Sequence, residues 1–320
     1  MNRIKGLFLL AISLLATQLH AQQDVQFTQY MHNRIFFNPG MAGNSDAISL
    51  NFGHRTQWIG FDNAPVTQNI NVELPVDKLH GGVMLNITND QIGFFQDISA
   101  ALGYAYQTYV GPGKLGIGLS VDFRNKNVRN AQWIFPDGGA GSNDPAVMNP
   151  TAQAMAPELN FGAYYSTDQW FAGLSSSRLL QSTQNLPGLG GGTAAYRSVM
   201  HYYLMGGYQF ELATLPGIRF APSALFRTDA SSQNLHTDLN FNAVVQDKIY
   251  GGLGLRVNDA VSLMAGYQVM PSLRVSYSYD INTSPLRAYN GGSHEIFVNY
   301  QFTIEIPPRI KGSYRTPIFL

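Results

Sequence analysis

Apolar and polar residues alternate with a period of two along most of this chain. In Leu115-Gly-Ile-Gly-Leu-Ser-Val-Asp-Phe123 every odd position is apolar, and the even ones are Gly116, Gly118, Ser120 and Asp122. The same pattern sets Ile98, Ala100, Leu102, Tyr104 and Tyr106 against Ser99, Ala101, Gly103 and Ala105. It recurs in Asp238 to Val245, in Arg274 to Asp280 and in Glu295 to Phe302. Alternation places residues i and i+2 on one face of an extended strand, whereas a helix needs a 3.6-residue stripe. Such segments are predicted at 48–57, 66–74, 81–89, 97–110, 114–125, 157–166, 169–178, 200–211, 217–227, 237–246, 248–257, 261–270, 272–281 and 293–304, fourteen in all. An even number of strands about ten residues long fits an all-β fold, a transmembrane antiparallel outer-membrane β-barrel.

The connections test that reading independently. Barrels of this kind keep short turns in the periplasm and longer loops outside. With the N-terminus in the periplasm, the odd-numbered connections are the long ones: Trp58–Pro65, Asp90–Gln96, Lys126–Ala156, Leu179–Val199, Thr228–His236 and Asn282–Gly292. The even ones are tight, as at Gly111-Pro-Gly113, Thr167-Asp168, Asp247 and Pro271, and only Asn258–Ala260 breaks the parity. A soluble sandwich has no cause to alternate in this way. Before the first strand, Phe27, Tyr30, Met31 and Ile35 sit at helical spacing, and Asn38-Pro39-Gly40 would end that helix. This piece is expected in the barrel lumen or across its periplasmic mouth. After the last strand, Ile306-Pro-Pro cannot continue a ladder. The chain thus divides into 1–21, 22–47 (a plug-like N-terminal segment), 48–304 (the barrel) and 305–320 (a periplasmic tail).

Residues 1–21 carry a different pattern. Asn2, Arg3 and Lys5 form a positive head, Gly6 to Ala16 is apolar, and small Ala21 precedes Gln22-Gln23-Asp24. This is the layout of a signal peptide cut after Ala21, and its run is too short for the ~20 residues of a spanning helix. Charged residues make up 12% of the chain, half the ~25% usual in soluble proteins, while 45% is apolar. Low charge without long apolar runs is what alternating lipid-facing and lumen-facing positions produce. Without Arg3 and Lys5, the 20 basic residues fall to 18 against 20 acidic, so nothing favours nucleic acid as a partner. There is no cysteine for a disulfide or thiolate ligand.

Chemistry-bearing motifs are weak. Gly111-Pro-Gly-Lys-Leu-Gly116 matches a dinucleotide fingerprint, but an alternating strand follows it instead of the helix that would hold a phosphate. His294-Glu295 lacks the second histidine of a zinc pair, and Gly173-Leu-Ser-Ser-Ser177 is no nucleophile elbow. Asp137, Asn143, Asp144 and Asn149 offer oxygen ligands of the kind calcium takes, yet polar outer loops carry such residues anyway. No catalytic residue, cofactor or metal is assigned. Arg55, Arg124, Arg227, Arg256 and Arg274 interrupt or end strands, and on the lipid side each would cost ~2–4 kcal/mol at midplane. They therefore point inward or to the headgroups, either pairing with Asp122, Asp238 and Asp280 or lining a pore.

Several stretches resemble the PorP/SprF family of type IX secretion membrane proteins. They are Gln29-Tyr-Met-His-Asn33 running into Asn38-Pro-Gly-Met-Ala-Gly43, then Arg55-Thr-Gln-Trp58 and Ala64-Pro-Val-Thr67, and later Tyr277-Ser-Tyr-Asp280 and Ser293-His-Glu-Ile296. The resemblance runs from about Gln22 to Phe302 and departs at Gly40, where members often carry Ala. It implies a non-enzymatic outer-membrane barrel in a Gram-negative bacterium, serving type IX secretion or gliding motility. The partners it implies are an exported adhesin-type substrate bearing a C-terminal signal domain, periplasmic components of the machine, and outer-membrane lipid. The positions it singles out are Asn33, Asn38, Pro39, Arg55, Gln57, Trp58, Pro65 and Thr67. Against this stand a purely structural role for the prolines as turn formers and for Trp58 in an aromatic girdle. The other functional reading is a channel or transporter for a small or hydrophobic solute.

Overall fold

The computed structural model describes residues 25–45, 47–129, 131, 133, 147–230 and 235–302. The predicted leader 1–21 and tail 305–320 lie outside them, as do Asp137, Asn143 and Asp144. Seven strands run from the N-terminal side: β1 (Ile48–Thr56), β2 (Val66–Val76), β3 (Gly81–Ile92), β4 (Phe95–Val110), β5 (Gly113–Val128), β6 (Gln153–Ser166) and β7 (Trp170–Ser177). A separate hairpin, β8 (Thr183–Pro187) and β9 (Thr193–Arg197), interrupts the series. The wall resumes with β10 (His201–Tyr208) and its continuation β11 (Phe210–Glu211). It is completed by β12 (Ile218–Asp229), β13 (His236–Val245), β14 (Ile249–Arg256), β15 (Ala260–Met270), β16 (Leu273–Asn282) and β17 (Ser293–Phe302). Every neighbour is antiparallel, and β1 pairs with β17 from Ile48↔Phe302 to Thr56↔His294. Counting β10 and β11 as one strand, fourteen strands close into a barrel.

The alternation reads inside out. Along β1, Ser49, Asn51 and Arg55 are buried while Leu50 and Phe52 are exposed, and along β2 Thr67, Asn69, Asn71 and Glu73 are buried while Ile70 and Leu74 are exposed. Water cannot reward that arrangement, but lipid outside and hydrogen-bonding partners inside can.

Three expectations change. The 90–96 connection is not a long loop: β3 and β4 stay paired out to Ile92↔Phe95, leaving a turn at Gly93, φ 58°. The sequence reading stopped these strands at Asn89 and Asp97. The lumen-side carboxylates that made them look like loop are held there by Thr67 Oγ1, 2.5 Å from Asp90, and Lys126 Nζ, 3.2 Å from Asp97. The second change is that the 179–199 loop contains a hairpin. The third is that residues 25–45 form no single helix. They make a 3₁₀ turn at Tyr30–His32, one α turn at Arg34–Phe37 and a 3₁₀ turn at Pro39–Met41. Asn33 (φ −127°, ψ 39°) breaks the run, because its side chain bonds the barrel wall instead.

This segment lies in the lumen, and its backbone touches the wall where strands carry inward glycines. A Cβ on Gly118 would stand 2.4 Å from the Pro39 carbonyl oxygen, and one on Gly116 would stand 2.0 Å from that of Gly40. Gly40 itself faces the Gly162 carbonyl, 2.8 Å from where its own Cβ would be, so the departure from Ala at this position belongs to the same close fit. The Gly118→Val variant should keep the barrel, whose lipid face is untouched, but expel the plug at a cost of ~1–3 kcal/mol. Limited proteolysis in detergent micelles checks this: the 25–45 segment should become cleavable, and protection equal to the parent would refute the seating.

Candidate functional site

The site is the junction between this plug and the lumen wall. Its outer third is a charge network. The Arg55 guanidinium donates to Asp280 at 2.6 Å, to Glu295 at 3.2 Å and to Thr28 Oγ1 at 2.8 Å. Glu295 in turn accepts the backbone N–H groups of Thr28 (2.8 Å) and Gln29 (2.9 Å), and the Thr28 hydroxyl lies 2.8 Å from Asp280. Arg256 Nε (2.7 Å) and Arg227 (3.0 Å) share Asp238, and Arg256 also approaches Asp280 at 3.6 Å. These six charged groups are buried, and part-exposed Asp259 adds a fourth carboxylate 3.3 Å from Arg256, so every cation of the cluster is matched. Pairing and abundant hydrogen bonds are the conditions under which buried charge is tolerated.

Below it runs a belt of amides. Asn299 Nδ2 donates to Asn51 Oδ1 (2.5 Å), Asn51 to Asn71 (2.6 Å), and Asn71 to Asn33 (2.6 Å). Asn33 donates to Asn69 (3.0 Å), which donates to Asn86 (2.6 Å). Each amide between the two ends gives and accepts, so the chain passes from β17 through β1 and β2, includes one plug residue, and ends on β3. At the periplasmic end, Asn38 caps the Pro39–Met41 turn by accepting the Gly40 N–H (2.9 Å) and donates to Ala163 O (2.9 Å). Gln107 bonds the Gly40 and Ala42 carbonyls, and Lys114 bonds that of Gly43 at 2.8 Å. The apolar side of the plug, Phe27, Tyr30 and Phe37, packs on Tyr164, Tyr203, Met205 and Leu225.

The structure therefore brings Asn33, Asn38, Pro39 and Arg55 of the singled-out residues to one junction. Gln57 and Pro65 do something else: the Gln57 N–H donates to Pro65 O (2.9 Å) and closes the base of the first outer loop. Trp58 starts that loop at φ 48° with its N–H on Ser293 Oγ, and Thr67 holds Asp90 at the rim. Thr28, Glu295, Asn69 and Asn71 were missed as candidates. For Glu295, Asn69 and Asn71 the signal was strand parity, since Glu295 shares the inward phase of Phe297 and Asn299; Thr28 lies outside the strands and had no such signal. Arg124 lies 3.6 Å from Asp122 and 3.4 Å from Asp97. Among the described residues no group of three His, Asp or Glu is placed to hold a metal.

Above the rim, the described residues of the 129–152 connection (129, 131, 133 and 147–152) pack against the 178–200 connection. Leu186 of the β8–β9 hairpin is buried with Val128, Ala131 and Ala152, and Gln184 donates to Arg124 O (2.8 Å). Lys126 Nζ sits 4.1 Å over the Tyr196 ring. The described residues of the two connections thus form one packed patch on the side of the long loops.

A closed barrel with an apolar exterior, a polar lumen and an N-terminal plug defines an outer-membrane β-barrel protein. The Type IX secretion system membrane protein PorP/SprF family matches residues 19–300, and the chain belongs to that family. No curated protein sequence matches it significantly. Among solved structures it is similar to the Ralstonia pickettii toluene transporter TbuX (TM-score 0.48, 9% identity, 83% of this chain and 92% of that one). It is also similar to a Pseudomonas aeruginosa FadL homologue (0.46, 12%, 82% and 92%) and to Acinetobacter baumannii Omp33 (0.46, 8%, 81% and 100%).

Replacing Arg55 by Met leaves Glu295 and Asp280 short of their cation and should destabilise the protein by ~3–5 kcal/mol. Replacing Arg219, whose partner Asp247 is largely exposed, should cost under ~1 kcal/mol. Urea unfolding in micelles, followed by tryptophan fluorescence, compares them, and equal losses would contradict the network's role.

Proposed function

We propose that this protein is a non-enzymatic component of type IX secretion that holds an exported adhesin-type substrate at the cell surface. The observation that carries the reading is the occupied lumen. Residues 25–45 run from the outer charge network to the periplasmic end and bond the wall at three levels, which suits a rigid scaffold better than a conduit. The 178–200 connection with its β8–β9 hairpin supplies a preformed face for the substrate's C-terminal domain, and periplasmic components of the machine would meet the turn side and the 305–320 tail. Lipid covers the exposed apolar band. A service to gliding motility, export through a leader cut after Ala21, and parts for Asn33, Asn38, Pro39, Arg55, Gln57, Trp58, Pro65 and Thr67 in keeping the scaffold rigid belong to the same reading.

Affinity purification of the tagged protein from its native outer membrane, with mass spectrometry, should recover a large exported adhesin or type IX machinery. Replacing Thr183–Arg197 by a short Gly-Ser linker should abolish the adhesin while leaving the barrel folded. In planar bilayers the intact protein should not conduct, and deletion of 25–45 should open it. A partner-free protein that conducts ions with its plug in place would make it a solute channel instead.

A further inference from the structure

A cavity of about 390 Å³ opens at the periplasmic, turn-bearing end, between the plug and the wall of β6, β7, β10, β12, β13, β14 and β16. Its lining includes Arg34, Arg219, Arg274 and His32, and no Asp or Glu. Arg219 is already satisfied by Asp247 and, at 3.9 Å, Glu211. The other two arginines are held by aromatic groups. Arg34 donates to Tyr164 Oη at 2.6 Å and stacks 4.5 Å over Phe171, while Arg274 lies 5.1 Å over Tyr250. Among the described residues no carboxylate lies within salt-bridge distance of either; each also has a buried Nε without a hydrogen-bond acceptor, a feature Arg55 and Arg227 share. Buried Glu73 lies within the electrostatic reach of Arg34 but accepts the Ser45 N–H at 3.4 Å and makes no ion pair with it.

The contrast with the outer third is the argument. There, Arg55, Arg227 and Arg256 each meet a carboxylate at 2.6–3.0 Å, as partly buried cations must to offset lost hydration. Here two guanidinium groups lie in each other's electrostatic field beside an open cavity, and neither has a carboxylate in ion-pair contact among the described residues. Arginine's planar fork matches a carboxylate through two parallel N–H bonds. The volume is at the small end of the ~300–1,000 Å³ of ligand sites. The lining also contains Trp170 and Tyr208, with the amides Gln169, Gln209 and Asn242, a mixture suited to a peptide and not to a bare inorganic ion.

We propose that this cavity binds the terminal carboxylate of a periplasmic polypeptide, with Arg34 and Arg274 taking the anion and Gln169 and Gln209 the peptide groups behind it. The site is independent of the surface-display reading, since it opens at the opposite end of the barrel. Isothermal titration of the purified full-length protein in neutral detergent tests it with three probes: Ala-Ala-Ala, the same tripeptide with an amidated C-terminus, and inorganic phosphate. The free-acid tripeptide should bind saturably, the amide and phosphate should not, and Arg274→Gln should weaken binding about tenfold, the scale of one charge-assisted pair. Arg34→Gln should do the same; if losing its bond to Tyr164 unfolds it, Arg274→Gln alone decides, because Tyr250 is the one side chain seen to hold it among the described residues. Heat-modifiable gel mobility establishes that each variant is folded. No tripeptide binding, equal binding of the amide, preference for phosphate, or an affinity unchanged in folded Arg274→Gln would each overturn the assignment.

Discussion

The fold of the lumen depends on one buried cation. Arg55 sits where β1 meets β17 in the closing seam of the barrel, and at 1% exposure it has no water to solvate it. Its charge must be met by Asp280 and Glu295, which arrive from the last two strands, more than two hundred residues away. Glu295 then has acceptor capacity left, and the plug fills it with two backbone N–H groups. The interaction that closes the barrel is therefore also the one that seats the plug. A lumen left empty would hydrate the cluster and remove the reason for its geometry.

From that anchor the plug is built to fit, level by level. Charges hold its upper end, an amide chain its middle, and glycine-lined backbone contact its lower end. The order follows chemistry: charge pairs orient over distance, amides require matched donors and acceptors, and close packing only works once both are set. The lower end leaves a cavity, and the same arginine chemistry found neutralised above is left open there. A scaffold whose Arg55, Arg227 and Arg256 meet carboxylates at one end while Arg34 and Arg274 meet none at the other has directional character.

Much of this was legible beforehand. A period-two pattern cannot be confused with helix over ten residues, so strands such as Val66–Val76 and Ser293–Phe302 fell close to their predicted spans. Polar residues in the wrong phase for lipid, Arg55 and Asp238 among them, announced that they face inward. The pairing of Arg227 with Asp238 was among the partners anticipated. The plug's secondary structure was not legible, because Phe27, Tyr30, Met31 and Ile35 happen to keep helical spacing while their real partners are scattered over the wall. The β8–β9 hairpin was hidden for a similar reason: its five-residue strands pack on another loop through Leu186, and local pattern carries no information about that partner.

The chain's own order of residues determined strand number, inward and outward faces, and the topology of a closed membrane barrel. Those follow from alternation and from the hydrogen-bonding demands of backbone in lipid, both of which act locally or on every strand alike. Which arginine is neutralised and which is left open was decided only by tertiary structure. That choice depends on distances between side chains brought together by barrel closure, and closure joins residues whose separation along the chain bears no relation to their separation in space.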